Sequence, residues 1–382
     1  MQLKLSRKPT GEDTPDVGDA NVTAEQMNGK VKSEGLTGLD ISGSGIAAAK
    51  VSDGRVRAAS ITTLDSGLIV DGEIADAPAL GAAIGEFFHA NGLPNKVRMG
   101  VASPRVVIRT MEVPVISDRK QLEAAIRFQA ADHLPMSVDE AVIDHQILRT
   151  LPGLEVGDPP RFQVLLVAAS RGLIDTIVET ARHAGIKLQG VDLSAFGLIR
   201  VMYPGAVADS ETIAYLHYGD MVNVTLAQGK VCKFTRATAN GYESLLDQLS
   251  KRVNLTHEHA QMWADYVGLL APVETLQGES DIIQATREGL AAAVDQLSSD
   301  ITAAIDFHSV QDSMARVNRI LVSGPGSSIP GLGEMIAQRT GLAVETPAPL
   351  GALDAESIAG SGIDERRLTL AAGLAMEEVA AL

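Results

Sequence analysis

Three glycine-bearing turns carry the residue types and spacing that could do chemistry. The first, Asp40-Ile41-Ser42-Gly43-Ser44-Gly45, follows an apolar run over 36–41 and holds one carboxylate among small residues. The second is His217-Tyr218-Gly219-Asp220, after an apolar run over 212–216. The third, Ser323-Gly324-Pro325-Gly326-Ser327-Ser328, joins the apolar run at 320–322 to a helix-like stretch over 332–339 that Gly341 stops. Glycines without side chains let a ligand approach the backbone closely. A helix start also presents unpaired N–H groups to polar or anionic groups. No Gly-Lys-Ser/Thr follows the third turn, so it is not a Walker P-loop. Taken alone it is a plain strand–helix junction, and a ligand site requires the other loops to converge on it.

The elements around these turns repeat. The first turn leads into a hairpin, 46–51 and 55–61, about Asp53-Gly54, a strong turn pair. The second leads into another, 222–227 and 230–235, about Gln228-Gly229, followed by a helix over 242–252. Strand, polar glycine turn, hairpin and helix thus occur twice, as an internal duplication whose period is too long for a solenoid. Two related α/β halves would let the glycine turns face one cleft. Between the copies the pattern changes. Strands are expected over 97–102, 106–113, 141–148 and 162–169, with helices over 77–91 and 119–133, and a loop over 151–160. The segment 77–188 reads as an inserted α+β subdomain. The long helical stretch 282–310 carries Leu290, Ala293, Leu297, Ile301, Ala304 and Ile305 at core spacing.

At 382 residues the chain is long enough for two or three domains. Its 45% hydrophobic and 21% charged composition is that of a globular protein. A net charge of −16 argues against a nucleic-acid partner, which needs a basic face. One cysteine, Cys232, excludes an intramolecular disulfide and a cysteine zinc cluster. No apolar run reaches transmembrane length and no secretory signal opens the chain, so a cytoplasmic protein is expected. Residues 1–34 are polar, without apolar periodicity, and read as a disordered tail.

The three turns fall in the order of the phosphate-1, phosphate-2 and adenosine motifs of the actin-like ATPase superfamily. Within it the chain resembles the PilM proteins of type IV pilus assembly. The fullest match is QLEAAIRFQAADHLPMSVDEAVIDHQIL at 121–148, with LLVAASRGLIDTIVETARHAGIKLQGVD at 165–192 and VDGEIAD at 70–76. The resemblance spans 36–376. It implies an α/β, actin-like ATPase fold with two duplicated lobes around a nucleotide cleft and an inserted FtsA/PilM-type α+β subdomain. The first lobe is placed at 35–76 and 189–208, closed by a helix at 366–382, and the second at 209–365. ATP and Mg²⁺ are the implied cofactors. The implied partner is the amino-terminal peptide of a PilN-like inner-membrane protein, which would bring the chain to the membrane. Self-association as a homo-oligomer is compatible with this reading. A small-molecule kinase of the same superfamily and an FtsA-like filament protein are the alternatives. The carboxy-terminal stretch lacks Lys and Arg beyond Arg367, a poor match for a membrane anchor.

Residue by residue, the resemblance assigns Asp40 to magnesium-bound water, because Mg²⁺ keeps several waters and uses few carboxylates. Without it, a turn carboxylate is the ordinary reading. Ser42, Gly43, Ser44, Gly219, Asp220, Gly241, Gly324, Gly326 and Ser327 are the expected nucleotide contacts. The family has Gly where Ser42 stands and often Lys where Ala47 stands. His217 occupies the place of the usual second Asp, either as a phosphate contact or as an ordinary strand-end histidine. Glu258 is weighed between a ribose contact and a solvated helix carboxylate. His257 and His259 lie two apart on a helix, so they do not share a face for zinc. Hydrolysis is expected to be slow or absent.

Overall fold

The computed structural model describes residues 35–70, 72–153, 158–205, 211–311 and 316–377. The expected tail at 1–34, residues 154–157 of the expected loop and 378–382 of the expected closing helix lie outside these residues.

Strands β1 (Leu36–Ile41), β2 (Gly45–Ser52) and β3 (Arg55–Thr63) run antiparallel in succession. Asp53 and Gly54 turn between β2 and β3 at φ 52° and 70°, left-handed values that an Asp-Gly pair tolerates. A small ribbon, β4 (Ile69–Val70) and β5 (Glu73–Ile74), precedes α1 (Ala77–Ala90). Asp76 caps α1 by accepting from the Ala79 amide at 2.9 Å. Its Leu80, Ile84, Phe87 and Phe88 are buried at helical spacing. Strand β6 (Lys96–Val101) then lies parallel to β1.

A separate three-stranded sheet follows, from β7 (Val106–Pro114), β8 (Ala141–Leu151) and β9 (Arg161–Ser170), in the order β7-β9-β8. Helix α2 (Arg119–Ala130) covers it, setting Leu122, Ile126 and Ala130 against Met111, Val113, Val164 and Leu166. The chain returns through α3 (Arg171–His183) to β10 (Lys187–Leu193), parallel to β6, and then α4 (Ser194–Met202).

The second sheet comes from β11 (Thr212–Tyr218), β12 (Val222–Gln228) and β13 (Val231–Thr238), then helices α5 (Tyr242–Val253), α6 (His257–Val267) and α7 (Ser280–Gln311). Strand β14 (Val317–Ser323), α8 (Leu332–Thr340), β15 (Ala343–Glu345) and α9 (Thr369–Ala375) complete the chain. The sheet orders are β3-β2-β1-β6-β10 and β13-β12-β11-β14-β15. Each has three antiparallel strands followed by two parallel ones. The duplication read from the turns is therefore a duplication of topology.

Two expectations change. The inserted sheet spans 106–170, not the expected 77–188, because β6 bonds β1 and β10 and α1 packs on α3. Periodicity shows that a strand is buried but does not name its partner. His217 and Tyr218 also continue β11 rather than forming a turn, since both pair with β12 and His217 pairs with β14 as well. The long helix behaves as expected: Leu290, Leu297, Ile301 and Ala304 are buried in the second core, with Ala293 and Ile305 packed against it.

Helix α9 belongs with the first sheet. A Cβ on Gly38 of β1 would stand 2.0 Å from the Ala371 carbonyl, and one on Gly373 would stand 2.0 Å from the Gly197 carbonyl of α4. Only glycine permits backbones this close. Buried Asp192 lies 2.5 Å from Arg200 and 4.0 Å from Arg98. Arg98 donates to the carbonyls of Leu374 at 3.0 Å and Met376 at 2.8 Å, and Arg200 to that of Gly373 at 2.9 Å. One charge cluster thus satisfies the carbonyls that end α9.

Candidate functional site: the interlobe cleft

The carboxyl ends of β1, β6 and β11 and the loop after β14 border one cleft of about 890 Å³. Strand ends supply its polar residues because chain direction places the following turns there. The turn after β1 is tight: the Ser42 amide donates to the Gly45 carbonyl at 2.9 Å, and the Gly45 amide returns to Ser42 at 3.3 Å. It reaches across to the second lobe. The Ser44 amide donates to Asp220 Oδ2 at 2.5 Å and its hydroxyl to Oδ1 at 2.9 Å. A carboxylate of one lobe thereby occupies the donors of the other lobe's turn.

Asp40 forms part of the floor. Burial first, and the Asp220 charge second, push its carboxyl up to about 7. His217 stands opposite on β11, 6% exposed, and burial pushes its imidazole down to about 4. Its Nδ1 lies 3.2 Å from Ser323 Oγ, and the Ser323 hydroxyl donates to the Leu216 carbonyl at 3.3 Å. When the single Ser323 proton goes to the Leu216 carbonyl, Nδ1–H is the donor to Oγ. At neutral pH this is an uncharged ring.

The expected contacts divide into two groups. Asp40, Ser42, Gly43, Ser44, Gly219 and Asp220 line the cleft together. Gly241, Gly324, Gly326 and Ser327 do not; of the third turn only Pro325 does. Gly241 is a packing residue, where a Cβ would stand 2.0 Å from the Gly219 carbonyl. The Tyr242 amide donates to that same oxygen at 2.7 Å. Gly324 turns at φ 88° against the Tyr218 backbone, and a Cβ on Gly326 would meet the Tyr218 ring at 2.3 Å. Ser327 bonds back to Gly324 through its hydroxyl at 2.7 Å.

Other cleft residues were not expected at the site from the sequence. Glu243 takes Arg367 at 2.7 Å and His257 Nε2 at 2.6 Å, while His257 Nδ1 lies 3.3 Å from Asp247. These come from α5, α6 and the segment before α9, and no local motif joins them. Glu258 is exposed and does not line the cleft, whereas its neighbour His257 does. The cleft also has an apolar end, formed by Leu64, Ile69, Ile74, Leu173 and Ile177.

Doubled sheets of one topology, joined across such a cleft, define the actin-like ATPase fold. Residues 38–379 match the family described as type IV pilus assembly protein PilM, and the chain belongs to that family. A solved PilM–PilN type IV pilus biogenesis complex is similar at 21% identity and TM-score 0.70, over 89% of this chain and 97% of that one. The ethanolamine utilization protein EutJ of Carboxydothermus hydrogenoformans is similar at 11% identity and TM-score 0.49, over 89% and 88% of the two chains. MreB5 of Spiroplasma citri, solved with bound ADP, is similar at 10% identity and TM-score 0.49, over 83% and 92%.

Magnesium and phosphate fit this cleft at one end. The turn at 42–44, Gly219 and Asp220 face one another above Asp40, a set that suits phosphate oxygens and a hydrated divalent cation. The nucleoside end does not fit, because the Tyr218 ring lies on Gly326 and the loop touches the cleft only through Pro325.

Proposed function

We propose that the protein is a cytoplasmic scaffold of type IV pilus assembly that holds the amino-terminal peptide of a PilN-like inner-membrane protein. It reaches the membrane through that partner. No helix among the described residues is long and apolar enough to cross a membrane. The observation that carries the reading, beside family membership, is the apolar end of the cleft. There Leu64 after β3 and Ile69 and Ile74 of the β4–β5 ribbon line the cleft with Leu173 and Ile177 of α3, which contacts β5. An extended peptide can place alternate side chains in such a groove. Magnesium and phosphate enter this reading at the other end, beside Asp40, Ser42, Gly43, Ser44 and Gly219, once Asp220 gives up the Ser44 donors. The bound metal would neutralise phosphate charge, while the chain's own residues orient it. His217, neutral where the resemblance expects a carboxylate, cannot hold magnesium-bound water as an anion does, so turnover is slow or absent.

The test is fluorescence polarisation with the amino-terminal peptide of a PilN-like protein. Leu64→Glu and Ile69→Glu alter partly buried residues at the groove. Each is expected to weaken binding at least tenfold while circular dichroism stays unchanged. Peptide affinity unaffected by both changes would remove the groove assignment.

A further inference from the structure

We propose that this cleft has no nucleoside subsite, and that Asp220 joins the lobes where a nucleotide phosphate would otherwise do so. The inference rests on the phosphate-end reading above and is independent of the peptide reading. Its first support is the filled space along the 324–328 turn. Tyr218 and Tyr242 are fully buried and meet edge to face, with ring centroids 5.8 Å apart. The Tyr218 ring takes the side of Gly326 on which any side chain would project. Ser328 closes the turn onto α6, donating to Asp265 at 3.2 Å. Moving two packed tyrosines to admit an adenosine would forfeit their buried apolar contacts, which close packing does not return elsewhere.

The second support is independent, and it lies at the phosphate end. The Ser44 amide and hydroxyl, the donors a phosphate oxygen would need, are both spent on Asp220. Across the mouth Arg367 is paired with Glu243 and stands 3.5 Å from the Ser44 hydroxyl. The Arg367 cation and the Ser44 donors that would meet a triphosphate are thus committed to this chain's own carboxylates. A magnesium-bound phosphate chain must displace Asp220, and nothing along the third turn rewards it for carrying a nucleoside.

The experiment compares Mg-ATP with magnesium tripolyphosphate on the full, nucleotide-free protein, by calorimetry and by hydrogen exchange. ATP is expected to bind no more than twofold tighter than tripolyphosphate. Exchange over 242–245 and 324–328 is expected to be unchanged by ATP. Failure of both ligands to bind supports the latch equally. ATP binding at least tenfold tighter than tripolyphosphate, with slowed exchange at 324–328, overturns the proposal. Asp220→Asn gives a second reading: it should quicken exchange over 42–45 without any ligand. Unchanged exchange there would mean that Asp220 does not join the lobes.

Discussion

His217 keeps an uncharged ring at the end of β11, and burial there sets a sign for the pH dependence of stability. Its folded value near 4 lies below the ordinary 6.5. Between these values the unfolded chain binds a proton that the folded chain does not, so stability falls as pH drops from 6.5 toward 4. The loss is of order 2 kcal/mol between pH 6.5 and pH 5. Asp40 acts oppositely: its folded value near 7 lies above 3.8, so its contribution weakens as pH rises through that range. Comparing wild type with His217→Asn leaves the Asp40 effect common to both. The wild type should lose more urea stability than the variant between pH 6.5 and pH 5, and equal losses would contradict the neutral buried ring. At Gly241, the Cβ of an alanine would meet the Gly219 carbonyl at 2.0 Å and that of Asp220 at 2.1 Å. Gly241→Ala should cost about 1–3 kcal/mol in urea unfolding through this overpacking, and a neutral change would contradict it. From the sequence Gly241 was expected as a nucleotide contact. Its role as a packing contact was not, because its partner lies on a different turn.

At the scale of elements, most of the fold was legible because local chemistry and periodicity agree. Asp53-Gly54 names a hairpin and the 290–304 stripe names a buried helix face. Strand partners were not legible. Strand β6 lies within the expected insertion by sequence position, but in space it belongs between β1 and β10. The anchoring of α9 was also invisible, since Arg98 and Arg200, which flank Asp192, reach carbonyls more than 170 positions away. This cluster makes a firm prediction. Removing one partner of a buried ion pair strands the others without compensation, at about 3–5 kcal/mol. Asp192→Ala should lose stability of that order in urea unfolding, and should speed hydrogen exchange over 369–376. A loss below about 1 kcal/mol would show that the arginines do not depend on Asp192.

At the scale of the whole molecule, two copies of one sheet topology carry the first two turns to a common cleft, which the third turn meets only through Pro325. What could not be read is how side chains fill it. Tyr218 and Tyr242 look like ordinary apolar residues until Gly326 is seen to lie against the first ring. The apolar end of the cleft draws on β3, the β4–β5 ribbon and α3, which lie about a hundred residues apart in sequence. Partner binding at that end, with the lobes held by Asp220 at the other, is the account of the molecule as a scaffold. The direct measurement is hydrogen exchange on the full chain with a saturating amino-terminal peptide of the PilN-like protein. The account predicts slowed exchange over 64–74 and 171–177. Protection confined to 212–345 would contradict it.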